Sequence, residues 1–280
     1  MSPSPHTGLP TASASSEPPQ APAHRLQGAS AGKPVELAAA SARTATKASG
    51  REEEERRGRP RRRGSVAAQL FAFDEASGVA LVAGADEAGR GCLAGPLVAA
   101  AVLFDYSKLT GPARGSLHEL RDSKQLTPPA RERLYPLIVA AALKVSVISR
   151  CSAALDARGL HRTNIDALSG ALRTATASLA EPVECLVDGF PLPGLRRPHR
   201  AVVGGDRRSA AIAAASIVAK VVRDRLMRDA EEVHPGWSFA EHAGYSTRAH
   251  REAIMRLGPS PLHRMSFQSV AYSQLRIAEM

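Results

Sequence analysis

Between Val79 and Phe104 the chain reads VALVAGADEAGRGCLAGPLVAAAVLF. An apolar run meets two adjacent carboxylates, then a glycine-rich turn around an arginine, then a second apolar run. Val79–Ala85 and Leu97–Phe104 are short, flanked by glycine and apolar almost throughout, which is the pattern of buried strands. A carboxylate at the end of such a strand is costly to bury unless it is paired or binds a cation. Successive strand residues point to opposite faces, so Asp86 and Glu87 are expected to flank the strand end rather than sit side by side.

The patterns that follow outline a mixed sheet covered by helices. Thr127 reads as an N-cap with Pro128 at the first helical position, opening a helix through PARERLYPLIVAAA that Pro136 is expected to kink or divide. Leu143–Arg150 alternates polar and apolar and reads as a third strand, so the first three strands can form an antiparallel meander. Ile165, Leu168, Leu172, Ala175 and Leu179 repeat at the spacing of one helical face. ECLVDG and RAVVGGD are short strands ending at Asp188 and near Asp206, and AAIAAASIVAKVVRDRLM is a long helix whose small side chains allow close packing on a sheet. A last helix spans roughly Thr247–Leu257. The order β-β-β-α-β-α-β-α gives an α/β fold.

Three separate strand-to-loop junctions thus present acids: Asp86-Glu87, Asp188 and Asp206, the last expected at a helix start. The ends of strands in a mixed sheet can converge. Converging carboxylates repel and take up protons unless a hard cation neutralises them. Oxygen donors without His or Cys nearby suit Mg²⁺ or Mn²⁺ rather than zinc. Two such ions about 3.5–4 Å apart can activate a water and stabilise the leaving oxygen of a phosphodiester. The formal net charge of +10 favours a polyanionic partner, nucleic acid first. Base outside and acid inside is the charge plan of a metal-dependent nuclease. GRGCLA, Gly89–Ala94, also fits a dinucleotide-binding fingerprint, but that motif needs a helix to begin among its glycines, and Gly95-Pro96 and a strand-like run follow instead. The glycines fit better as a place where backbone N–H groups approach a phosphate or sugar.

Cys92, Cys151 and Cys185 are far apart and form no CxxC, so they are expected to be buried small hydrophobes in a reducing, cytoplasmic protein. No apolar run reaches the ~20 residues of a membrane span, and Met1 begins no basic-then-apolar secretion signal. Residues 1–70, Pro/Ala/Ser-rich and then REEEERRGRPRRRGS, offer too little to bury and are expected to be disordered, with 71–272 as the catalytic domain and 273–280 as a short tail. Arg61, Arg62 and Arg63 read first as part of a solvated tail, with non-specific phosphate contact as the alternative. The Ser- and Ala-rich start loosely mimics a transit peptide, and a mis-assigned start codon is an alternative origin.

From Val82 to Phe267 the chain resembles the ribonuclease HII family, the type 2 ribonucleases H. The motifs come in order: AGADEAGRG, DSKQLT, CLVDG, AVVGGD, AAASIVAKVVRDRLM, HAGYST and HRMSF. The resemblance implies a ribonuclease H-like mixed five-stranded sheet flanked by helices, with a small helical C-terminal part. It implies that Asp86, Glu87, Asp188 and Asp206 bind two divalent ions, Mn²⁺ or Mg²⁺, and carry catalysis. The implied activity is hydrolysis of the RNA strand of RNA–DNA hybrids. It also includes nicking 5′ to a single ribonucleotide embedded in duplex DNA, leaving 3′-hydroxyl and 5′-phosphate ends. The residues themselves show no dimer signature, so a monomer with no membrane partner is expected. Sensing one 2′-hydroxyl falls to the backbone of Gly89, Arg90 and Gly91, with Tyr245 packing on the sugar; Lys124 and Arg264 are expected to hold phosphates. Lys220 and Arg223 could face DNA or solvent, and His242 and His263 read as structural. The chain departs from the family at Gly204, where a lysine is usual, at Arg207, often serine, and at Ala211, often glutamate. Gly204 and Ala211 leave room for a non-catalytic module that binds hybrid without cutting it; a nuclease of the same fold with another substrate, such as a DNA junction, is a separate alternative.

Overall fold

The computed structural model describes residues 65–269 and 272–273. Its elements in chain order are α1 (Val66–Glu75), β1 (Leu81–Ala88), β2 (Leu97–Asp105), α2 (Gly111–Ser116), a 3₁₀ turn (Ser123–Gln125), α3 (Pro128–Ala141), β3 (Lys144–Arg150), α4 (Ser152–Arg158), α5 (Leu160–Ala175), β4 (Val183–Asp188), β5 (Arg200–Val202), a second 3₁₀ turn (Gly205–Arg207), α6 (Ala210–Val233), α7 (Phe239–His242) and α8 (Arg248–Leu257). The five strands form one mixed sheet in the order β3-β2-β1-β4-β5. β1, β2 and β3 are the antiparallel meander read from the sequence, and β4 and β5 add in parallel beside β1.

The central strands β1 and β2 are apolar along most of their length, with the acids toward their ends, because both faces are covered. Val98, Ala100, Val102 and Phe104 of β2 pack on the α6 side with Ile212, Ala215 and Val218. Leu97, Ala99, Ala101 and Leu103 pack on the α5 side with Leu168, Ala171 and Leu172. Alanine lets α6 lie very close to the sheet: a Cβ on Gly84 of β1 would collide with the backbone of Ala211 and Ile212.

Three expectations need correction. Residues 66–70 are not part of a disordered extension: α1 starts at Val66, capped by Ser65, and buries Ala67, Leu70 and Phe71. The rest of that expectation, residues 1–64, and the tail 274–280 lie outside the described residues. Pro136 does not divide α3; it sits on the solvent face, where water can take the carbonyl that the proline leaves unpaired. Cys92 and Cys185 are buried, but Cys151 is exposed, at the N-cap position of α4.

Candidate active site

Strand alternation places the first two acids. Val82 and Gly84 of β1 face α6, so Asp86 does too, and it lies beside the Ser216 hydroxyl of α6. Glu87 faces the other way, toward Asn164 of α5. Ala85 and Val187 are register partners on the parallel strands β1 and β4. The next residue on each is an acid, so Asp86 and Asp188 end neighbouring strands. Asp188 Oδ1 accepts a hydrogen bond from the Gly205 N–H at 2.6 Å. That bond draws in the second 3₁₀ turn, which carries Asp206. Asp206 therefore stands in a short turn ahead of α6 rather than at the helix start itself.

Burial and mutual repulsion shape the titration of this group. Burial pushes the Asp86 carboxyl well above its ordinary range, and the charges of Glu87 and Asp188 push it further. Burial also raises Glu87, against the opposing charge of Arg90, whose guanidinium is 3.8 Å away. Asp206 is raised by burial and then by Asp122. Lys124 is lowered by its partial burial, but Asp206, Asp86, Asp122 and Asp188 together hold its ammonium above the ordinary value; its Nζ is 3.7 Å from Asp206 Oδ2. Asp122 and Asn164 were not among the residues singled out from the sequence. Asp122 stood in the DSK motif, and Asn164 carried no signal beyond lying in a helix.

The donors are oxygen only, several carboxyls are raised by each other's charge, and the buried Glu87 Oε2 lacks a hydrogen-bond partner. That chemistry fits a hard divalent cation. Among the described residues, no three acidic, His or Cys side chains are yet closed into a coordinating cage; the four acids are gathered at one end of the sheet within electrostatic reach of one another.

The glycine-rich turn follows Glu87 directly. Gly91 is exposed and a Cβ there would meet only open space. Gly89 is different: its φ is +90° and a Cβ would collide with the Arg223 side chain, so internal packing already requires glycine there. Two buried arginines hold this turn. Arg264 is fully buried. Its Nη1 donates to the carbonyls of Gly89 at 2.7 Å and Arg90 at 3.3 Å, and its Nε and Nη2 donate to Gly95 O at 3.0 and 2.8 Å. This corrects the expectation that Arg264 holds a phosphate: its donors are engaged inside the fold. Arg223 faces neither DNA nor solvent; it bonds the carbonyls of Pro96, Ala94 and Ala243. Gly244 O accepts from Leu93 N–H at 2.9 Å, and the next residue is Tyr245.

Tyr245 is 40% exposed. It shares a groove of about 620 Å³ with Lys220 and Thr247, and Lys220 Nζ lies 5.2 Å from its ring centroid. Arg90, Gly91 and Phe267 line a second groove of about 870 Å³. At the departure Gly204, whose φ of +61° suits glycine, the Arg207 guanidinium lies 3.1 Å from the position a Cβ would take. Its Nε is 3.9 Å from Asp206 Oδ1, so a cation stands over that position although the lysine is absent.

Residues 83–270 match the family model of ribonuclease HII. The chain belongs to the ribonuclease HII family. Ribonuclease HII of Rhodococcus erythropolis is 47% identical over 204 residues, covering 72% of this chain and 86% of the relative. That of Mycolicibacterium vanbaalenii is 51% identical over 195 residues, covering 69% and 75%. Among solved structures, ribonuclease H2 of Pyrococcus horikoshii superposes with a TM-score of 0.57 at 25% identity, covering 71% of this chain and 98% of the other. A ribonuclease HIII described in complex with Mn²⁺ shares the fold, with a TM-score of 0.57 at 20% identity over 76% of this chain and 73% of the other. The protein is accordingly a metal-dependent ribonuclease, a hydrolase that cuts the RNA strand of RNA–DNA hybrids. Among the described residues no helix is long and apolar enough to cross a membrane.

Proposed function

We propose that this ribonuclease HII also nicks duplex DNA 5′ to a single embedded ribonucleotide, leaving 3′-hydroxyl and 5′-phosphate ends. Asp86, Glu87, Asp188 and Asp206 would hold two divalent ions, Mn²⁺ or Mg²⁺, which when bound would supply an activated water and a sink for the charge of the leaving oxygen. The observation that carries this reading is the junction of the acid cluster with the Gly89–Gly91 turn and Tyr245. Glu87 is two residues from Gly89, and the Gly244 carbonyl beside Tyr245 accepts from the N–H groups of Leu93 and Ala94, two and three residues past the turn. A duplex lying over the turn would bring its scissile phosphate to the acids and one sugar against Tyr245. The exposed Gly91 leaves backbone free to meet a 2′-hydroxyl, and Arg90 is half-exposed beside it. Lys124, with an exposed side chain among the acids, would hold a phosphate oxygen and offset charge between turnovers. Arg264 acts from beneath, keeping the Gly89 and Arg90 carbonyls turned inward. We take the working form to be a cytoplasmic monomer.

The experiment is cleavage of a 5′-labelled duplex with one ribonucleotide, in Mn²⁺ or Mg²⁺, with the product ends mapped. One cut 5′ to the ribonucleotide is expected, and Asp188→Asn should reduce it by at least about a thousandfold. Equal cutting of an all-DNA duplex would overturn the specificity, and tight hybrid binding without cutting at any metal concentration would favour the non-catalytic module.

A further inference from the structure

Behind Tyr245 lies a buried chain of three imidazoles: His242, His250 and His263. The His242 and His250 rings stack with centroids 4.2 Å apart, and those of His250 and His263 are 5.1 Å apart. Their hydrogen bonds leave one tautomer open to each. His263 Nδ1 accepts from the Ser260 backbone N–H at 2.8 Å, so its proton is on Nε2. His250 Nδ1 meets the carbonyl of Tyr245 at 2.9 Å, which can only accept, so that proton is on Nδ1. The two Nε2 atoms face each other at 3.1 Å, one a donor and the other a bare lone pair, and the assignments agree. His242 accepts from Gly244 N–H on Nδ1 and donates from Nε2 to Trp237 O at 2.7 Å.

Both ends of this chain reach the sugar-sensing elements. Tyr245 is held on each side, its N–H donating to His242 O at 2.9 Å and its carbonyl accepting from His250. His263 forms a bridge with Ala94 and precedes Arg264, which holds the Gly89 and Arg90 carbonyls. We propose that His250 and His263 are positioning residues: a run of neutral imidazoles in fixed tautomers that sets Tyr245 against the Gly89–Gly91 turn. This rests on the reading of Tyr245 as the residue that packs on the ribose. The rings and titratable groups facing the pair are His242 against His250, Tyr272 edge-on to His263, and Phe239 and Trp237 beside them. Among the described residues no carboxylate is within ion-pair distance of any of the three. A second proton on His263 would set N–H against the Ser260 N–H, and one on His250 would set N–H against the His263 donor. Burial accordingly pushes both rings down to about 4.

Two measurements test it. In ¹⁵N-histidine spectra of the intact protein at pH 7, His250 should report the Nδ1–H tautomer and His263 the Nε2–H tautomer; the reverse in either overturns the chain. In single-turnover nicking of the one-ribonucleotide duplex, His250→Leu should lower kcat/KM by roughly ten- to a hundredfold. His250→Asn, which keeps a donor near the Nδ1 position, should recover most of it. In a Tyr245→Ala background, His250→Leu should cost nothing more. A full additional loss there would show that His250 acts through something other than Tyr245 and would overturn the proposal. If Tyr245→Ala alone leaves nicking unchanged, the ribose reading fails while the tautomers stand.

Discussion

At the scale of single residues, the same burial that silences the histidines makes them sensitive to acid. In the unfolded chain His250 and His263 titrate near 6.5; in the folded protein burial holds them at about 4. Below 6.5 the unfolded state binds protons that the folded state refuses. Their contribution to stability is therefore complete above about pH 6.5 and is lost as pH falls toward 4. Each ring should account for about 2 kcal/mol of loss by pH 5. Asp74 works in the opposite sense, since burial raises its carboxyl: its favourable part fades as pH rises. A comparison of His263→Gln with the unsubstituted protein cancels that shared background. Urea unfolding from pH 8 to 5 should show the unsubstituted protein losing 1–2 kcal/mol more than the variant, to order of magnitude; parallel profiles would mean the rings are not buried neutral.

At the scale of elements, α1 is a structural clamp on the site. Asp74 near its C-terminal end accepts at Oδ2 from the Tyr106 hydroxyl at 2.7 Å and from the Ala211 N–H at 2.9 Å, at the first turn of α6. That turn follows Asp206 by a few residues, so α1 fixes where the third acid junction sits. Asp74→Ala would leave the buried Ala211 N–H without its acceptor, costing about 1–3 kcal/mol. That should appear as a fall in Tm of several degrees, read by calorimetry, with Tyr106→Phe giving a smaller fall. The sequence hid this element. VAAQLFAFDE has a weak one-sided pattern and sits next to a tail-like segment, so its few buried residues did not stand out from the composition. Elements with a strong local signature were legible. Thr127-Pro128 capped a helix where expected, and the apolar runs that became β1 and β2 showed burial on both faces. The four acids were legible because each ends an apolar run. What could not be read was long-range pairing: Arg264 and Arg223 look like surface cations in sequence, and only the fold surrounds them with carbonyls. Asn164 joined the site through helix packing, which leaves no mark in local spacing.

At the scale of the whole molecule, charge is divided along the chain. Residues 1–64 carry 11 Lys and Arg against 6 Asp and Glu, a net +5, half of the +10 total. The remainder carries its own +5 with the acids gathered at one end of the sheet. The basic segment before α1 is thus, by its charge, a candidate source of attraction for a phosphate backbone. Removal of 1–64 and removal of 1–76 should therefore have opposite consequences. The shorter deletion keeps Ser65 as the cap of α1 and should leave nicking at saturating duplex within about twofold. Every phosphate that the basic segment neutralises steepens the fall of log affinity with log salt by about 0.9. Binding titrations of the shorter deletion from low to high salt should accordingly give a slope shallower by at least about one. The longer deletion takes Asp74 and the buried Leu70 and Phe71, and should lower Tm sharply and abolish nicking as the N-terminal turn of α6 loses its clamp. Equal slopes for the full chain and the shorter deletion would show that the basic segment does not touch the duplex, and that the charge of residues 65–280 alone holds it.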